Sequence, residues 1–454
     1  METILDKYLK TADNVDPIKC VGRVFKVQGL LIESTGPSAI IGEICRIETG
    51  KGMCLQAEVV GLRAETVQLM AYSETDGIRV GDRVVASGAS LDIAVSDKLL
   101  GRVLDAQGKA ADGKGEIESG VRYPVMANPP DPLKRTRVVQ RIATGVRAID
   151  SMLAVGRGQR IGIFAGSGVG KSTLLGMIAR NTSADVNVVA LIGERGREVN
   201  DFIEKDLGEE GLKRSVLVVT PSNSPSLSRL RGAYTATAIA EYFRDKGKNV
   251  MLLFDSITRF ARAMREIGLA TGEPPATRGY PPSMFDQMPK LLERSGAAET
   301  GSITSFYTIL VDGDDMDEPV ADTVRGILDG HIVLSRKLAQ HYHYPAIDVL
   351  RSISRLAKDV SGPVTQEAVG VVRRLMAIYD ENEKLINIGA YRTGTNATID
   401  NAIAKHESIE NFLIQSIGEK APLYDTLLKL GELAGITIPE EELSAETIPT
   451  DAEV

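Results

Sequence analysis

The chain has 454 residues, is 43% hydrophobic and 25% charged, and carries a formal net charge of −8. At roughly 150 residues per domain this length suits two to four domains, and the composition excludes disordered, collagen-like and low-complexity chains. The acidic balance, without a basic stripe, argues against a nucleic-acid surface.

Residues 1–19 place Ile4, Leu5, Tyr8 and Leu9 at helical spacing, an amphipathic segment that either packs on its own domain or docks to a partner or membrane surface. The opening METILDKYLKTADN has no apolar stretch of the kind a signal peptide needs. No run approaches the ~18 apolar residues that span a bilayer. Cys20, Cys45 and Cys54 form neither a disulfide framework nor a metal-ligand spacing, so a reducing cytosol is expected.

Residues 20–92 carry short β-prone runs at 23–27, 55–62, 66–71 and 83–86, punctuated by Gly, Asp and Pro. That pattern predicts a small closed β-barrel. From 93 to 361 a turn-rich connection gives way to apolar runs alternating with helical patterns, which predicts a parallel sheet with crossover helices. The strand candidates are 161–164, 188–192, 215–220, 250–255, 303–311 and 331–334. Residues 362–438 read as helical, and 439–454 as an acidic, mobile tail.

The run at 161–164 leads into AGSGVGKST, Ala165, Gly166, Ser167, Gly168, Val169, Gly170, Lys171, Ser172 and Thr173, followed by the helical pattern LLGMIAR. Strand, glycine-rich loop and helix in this order define a phosphate loop. The glycines let backbone N–H groups converge on phosphate oxygens, and the helix aims its positive end at the same anion. Lys171 would reach the β- and γ-phosphates of a nucleotide and Ser172 would ligate Mg²⁺. Ala165 replaces the usual first glycine, which is tolerated if its φ is negative.

The apolar run at 250–255 delivers Asp255 to a strand end, where a carboxylate can hold Mg²⁺. Glu194 follows the run at 188–192. It suits a carboxylate that orients attacking water, or a surface ion pair with Arg195 or Arg197. Arg195, Arg259 and Arg355 each follow an apolar segment. Any of them could stabilise charge on the γ-phosphoryl group or form an ordinary ion pair.

With these residues in hand, the chain resembles the hexameric ATPases of the rotary ATP-synthase type, and more closely the type III protein-export ATPases. The motifs that carry the resemblance include DPLKRTR (131–137), TGVRAIDSML (144–153), IGERGREVNDFIEKDLG, RGAYTATAIAEYFRD and HYPAIDVLRSISR (343–355). ATGEPPATRGYPPS and the GLLIE…GEICRIE start lean toward the flagellar member rather than its injectisome relative. The resemblance implies an α/β phosphate-loop, RecA-like core between an N-terminal β-barrel and a C-terminal helical domain. It makes Ala165 normal for the branch and Glu194 the general base. It places Arg195 near the phosphates, Arg259 lining the site, and Tyr344 beside the adenine ring of ATP rather than as an ordinary core tyrosine. Arg355 becomes an arginine finger for the neighbouring subunit of a homohexamer.

The resemblance further implies a cytoplasmic protein, peripheral at the membrane export gate. A regulatory stator-like protein would bind the N-terminus, a coiled-coil stalk the ring centre, and export chaperones and substrates the C-terminal domain. Three other readings compete: a non-catalytic nucleotide-binding ring subunit, an RNA-threading ring helicase and a metabolic kinase. Glu194 opposes the first. The acidic charge and the 5% aromatic content, without tryptophan, oppose the second. The third lacks any signature of an acceptor pocket.

Overall fold

The computed structural model describes residues 21–50, 52–117, 120–311 and 315–444. The expectations for residues 1–19 and for 445–454 lie outside these.

Six strands form a closed barrel: β1 (Val21–Gln28), β2 (Leu31–Thr35), β3 (Glu43–Glu48), β4 (Cys54–Arg63), β5 (Thr66–Ala71) and β6 (Arg83–Ser90), in the order β1-β2-β5-β4-β3-β6. All pairs are antiparallel. Alternate side chains point inward, so Val24, Ile32, Cys45, Ile47, Val59, Leu69 and Val84 fill the lumen. Closure leaves no free edge. Glu58 of β4 is buried and paired with Arg231, and it accepts a hydrogen bond from the Tyr72 hydroxyl at 2.6 Å. Arg231 belongs to the helix Ser226–Asp245, so this buried cluster ties the barrel to the central domain.

The connection holds β7 (Asp92–Val95), β8 (Val103–Leu104) and β9 (Val121–Pro124), with β7 and β9 paired to each other. Next come a small pair, β10 (Arg141–Ile142) and β11 (Val155–Gly156), and then the main-sheet strands. These are β12 (Arg160–Ala165), β13 (Val186–Ile192), β14 (Ser215–Thr220), β15 (Asn249–Asp255), β16 (Gly296–Ala297), β17 (Ser302–Leu310), β18 (Gly330–Leu334) and β19 (Ile347–Ser354). The sheet order is β19-β18-β12-β17-β15-β13-β14-β8, with β16 hung on β17. The pairs from β18 through β8 are parallel, and β19 closes the edge antiparallel.

Helices cover both faces, which is why the central strands read as continuous apolar runs. In β13, Val186, Val188, Ala190 and Ile192 enter one core while Val189 and Leu191 enter the other.

Three longer helices, Pro363–Asn387, Ala397–Leu413 and Leu423–Ala434, form the C-terminal region and share the second core through Val372, Leu375, Phe412, Leu427 and Leu430. The tail expected to be mobile from 439 begins instead as a docked helix, Glu440–Ser444. The Glu442 carboxylate accepts hydrogen bonds from the Val364 and Thr365 amides at 3.1 and 2.7 Å and from the Thr365 hydroxyl at 2.7 Å. These satisfy donors that the first turn of Pro363–Asn387 leaves free.

Candidate active site

The phosphate loop joins β12 to the helix Lys171–Asn181. Ala165 is fully buried as the last residue of β12, and it is not among the residues with positive φ, so alanine fits where the usual pattern has glycine. Gly168 and Gly170 have φ of +77° and +90°, a conformation that glycine alone adopts at little cost. Space beside Gly168 is open, as a cradle for a ligand requires.

β13 and β15 end beside this loop and bring two carboxylates to it. The Lys171 ammonium stands 2.5 Å from Asp255 Oδ1 and 3.3 Å from Glu194 Oε1. The Asp255 carboxylate, 2% exposed, also accepts from the Thr308 hydroxyl of β17 at 2.8 Å. Glu194 is buried too, and its segment is pinned by Gly193 N–H to Thr220 O at 2.7 Å and Ser222 N–H to Glu194 O at 2.9 Å. Burial pulls the Lys171 ammonium down, but Asp255 and Glu194 more than offset this and leave it above the usual lysine value. Burial pushes the Asp255 carboxyl up, and the like charge of Glu194 adds to this against the attraction of Lys171.

Arg259, in the first turn of the helix Ile257–Thr271, packs over Gly193. A Cβ at Gly193 would stand 2.9 Å from the Arg259 Cβ, so glycine is needed for that approach. Among the described residues Arg259 Nε is buried without a hydrogen-bond partner, which leaves a cationic donor beside the Glu194 loop. The Tyr344 ring lies 3.5 Å from where a Cβ on Gly170 would stand, so it borders the phosphate loop.

Two arginines stand apart. Arg195 is 77% exposed and paired with Glu198 at 3.2 Å, outside the Lys171 cluster. Arg197 pairs with Asp201 at 3.7 Å, so the surface ion pair considered for Glu194 is not the one formed. Arg355 follows β19 at the opposite end of the sheet. Its amide donates to Asp329 O, and the Asp329 amide donates to Arg160 O at the start of β12. The five residue steps from there to Ala165 span about 17 Å. Among the described residues its guanidinium donates to the Arg325 carbonyl, at 3.3 Å. Arg355 therefore does not meet the phosphate loop of its own chain.

Thr308 was not anticipated. The signal for it is the row of hydroxyl residues in SITSFYTIL, which is otherwise an apolar strand.

The donors fit a magnesium nucleotide. The Ser172 hydroxyl and Asp255 carboxylate are hard oxygen ligands, the class Mg²⁺ takes alongside substrate phosphates. Among the described residues no cluster of three or more His, Cys, Asp or Glu forms an all-protein metal cage.

Such a fold and site define a phosphate-loop nucleoside triphosphatase. The model of the ATP synthase alpha/beta family nucleotide-binding domain matches residues 145–354, and the model of that family's beta-barrel domain matches 24–88. A T3SS EscN ATPase C-terminal domain model matches 362–432. The chain belongs to the ATP synthase alpha/beta family, in its flagellar and type III secretion branch. It is 59% identical over 438 residues to the flagellum-specific ATP synthase of Treponema pallidum, covering 96% of this chain and 98% of that one. Among solved structures it is similar to the assembled ATPase EscN of the enteropathogenic E. coli type III secretion system, with TM-score 0.87 and 45% identity, covering 91% of this chain and all of that one. EscN in complex with its central stalk EscO gives 0.85 and 44% over the same shares.

Proposed function

We propose that this chain hydrolyses Mg-ATP as the motor of a type III protein-export apparatus, the flagellar one, and works as a homohexameric ring. The observation that carries the reading is the buried Lys171–Asp255–Glu194 cluster at the mouth of the phosphate loop. Backbone amides of 166–170 receive the phosphates. Lys171 moves from its two carboxylates onto the β- and γ-phosphate oxygens, which frees Glu194 to take the proton of the attacking water. Ser172 and Asp255 would hold Mg²⁺, which would supply charge neutralisation of the phosphates. Arg259 adds a fixed positive charge, and Tyr344 walls the base.

Arg355 completes the site of a neighbouring subunit, a role supported by its distance from its own loop. Arg195, exposed here, is free to face that same interface. EscN has been solved assembled and with a central stalk, which supports a ring and a stalk partner for this chain. The stator-like regulator at residues 1–19, chaperones and substrates on the C-terminal helices, and a peripheral position at the membrane gate complete the proposal. No helix among the described residues is long and apolar enough to cross a membrane.

Two measurements test this. Mg-ATP turnover per chain should rise with protein concentration, and turnover by an isolated monomer overturns the ring. Deleting the chain should abolish flagellar filament assembly and spare any injectisome, and the reverse pattern overturns the flagellar assignment.

A further inference from the structure

The segment that carries Tyr344 is held by the C-terminal helices at two points. The Gln415 amide donates to the Tyr344 carbonyl at 2.8 Å. One residue earlier, buried His343 places Nδ1 2.8 Å from Glu410 Oε2 in the last turn of Ala397–Leu413. That bond holds the Glu410 carboxyl below its ordinary value. An ionised carboxylate only accepts, so the His343 Nδ1–H is the donor.

The holding residues are themselves fixed. The Gln415 side chain is buried; its Oε1 accepts from the Arg147 amide at 2.7 Å, and its Nε2 donates to Gly145 O at 2.9 Å. The Arg147 guanidinium in turn donates to the Phe412 and Ile414 carbonyls at 2.9 and 3.0 Å. A buried polar network with its members satisfied has one favoured arrangement. Residues 410–415 are therefore keyed to both the Tyr344 segment and the base of the Arg147–Met152 helix.

We infer that residues 410–415 are a positioning element for the nucleotide base: Glu410, through His343, and Gln415, through the Tyr344 carbonyl, set where the Tyr344 ring stands beside the phosphate loop. The inference rests on the reading of Tyr344 as the wall of the base site. It makes the C-terminal helices and the nucleotide reciprocal effectors: whatever displaces those helices changes nucleotide affinity, and nucleotide biases the helices equally.

The test is steady-state hydrolysis by the full chain, with KM and kcat resolved. Glu410→Ala should raise KM for Mg-ATP about fivefold or more while kcat stays within about twofold, the split expected when an interaction made equally in ground and transition states is lost. Glu410→Gln, which keeps the shape and one acceptor, should raise KM less, by about twofold. Tyr391→Phe removes hydroxyl bonds to Asp400 and the Asn396 carbonyl at the far end of the same helix, and it should leave KM where it is. Tyr344→Ala should raise KM at least as far as Glu410→Ala. If Tyr344→Ala raises KM and neither Glu410 variant does, the positioning role is overturned. An unchanged KM in Tyr344→Ala overturns the base-site reading beneath it. If Glu410→Ala does not assemble, the Gln variant decides alone.

Discussion

Replacing Lys171 by methionine keeps most of the side chain's bulk and removes its charge. That ammonium stands between Asp255 and Glu194 at 2.5 and 3.3 Å, and all three groups are largely shielded from water. Removing one partner of a buried ion pair costs about 3–5 kcal/mol, because the charge left behind has neither solvent nor a counter-ion. Asp255 has an escape: its carboxyl is already raised by burial and by Glu194, and without Lys171 it rises further, so it can bind a proton.

The sign of the pH dependence follows. A carboxyl whose folded value lies above its unfolded one holds a proton in the folded state that the unfolded chain has released. Stability therefore falls as pH rises from the unfolded value to the folded one. Urea unfolding followed by far-UV circular dichroism, without nucleotide, should show Lys171→Met about 3 kcal/mol less stable than wild type near pH 8, and the deficit should shrink near pH 5. Adding Asp255→Asn should restore most of the loss. Wild-type stability for Lys171→Met near pH 8, or no recovery in the double variant, refutes the idea that Lys171 neutralises this cluster. Neither variant should hydrolyse ATP.

Glu194→Gln should bind Mg-ATP with near wild-type affinity and lose at least about 100-fold in turnover, the usual range for a positioned proton acceptor; single-turnover kinetics with a binding titration check this. Glu442→Ala should destabilise the C-terminal helices by about 1–2 kcal/mol, since it strips three hydrogen bonds from one helix N-terminus; hydrogen exchange at Val364 and Thr365 reads it. Alkylation of the folded protein should modify exposed Cys54 and spare Cys45, which is buried in the barrel with its thiol pushed up to about 12; peptide mapping after a short iodoacetamide pulse distinguishes them.

The parts of the site borne on buried parallel strands were legible in the sequence, because such strands write themselves as apolar runs and their ends fix where a residue sits. Ala165, Glu194 and Asp255 all came from this signal. The barrel strands β2 and β3 were missed. LIEST and EICRIE are short and carry glutamates, and cross-strand pairing in a closed barrel outweighs their local preference. β19 was missed as a strand because it lies on the sheet edge, with Arg351 and Ile353 facing water on either side of buried Ser352.

The three arginines looked alike in one dimension. Only the antiparallel turn of β19 sends Arg355 to the far end of the sheet, while Arg259 folds back over Gly193. Glu442 read as part of an acidic tail because nothing local reveals that its carboxylate caps a helix that begins about 80 residues earlier. The bonds from Gln415 and Glu410 to the Tyr344 segment are equally non-local.

The central claim is that each active site is built by two chains, with Glu194 from one and Arg355 from its neighbour. The most direct test mixes Glu194→Gln and Arg355→Ala proteins, each inactive alone, under conditions where rings exchange subunits. At equal amounts, about one interface in four joins an intact Glu194 to an intact Arg355, so up to about a quarter of wild-type turnover should return. Persistent inactivity in rings shown to have exchanged contradicts the account.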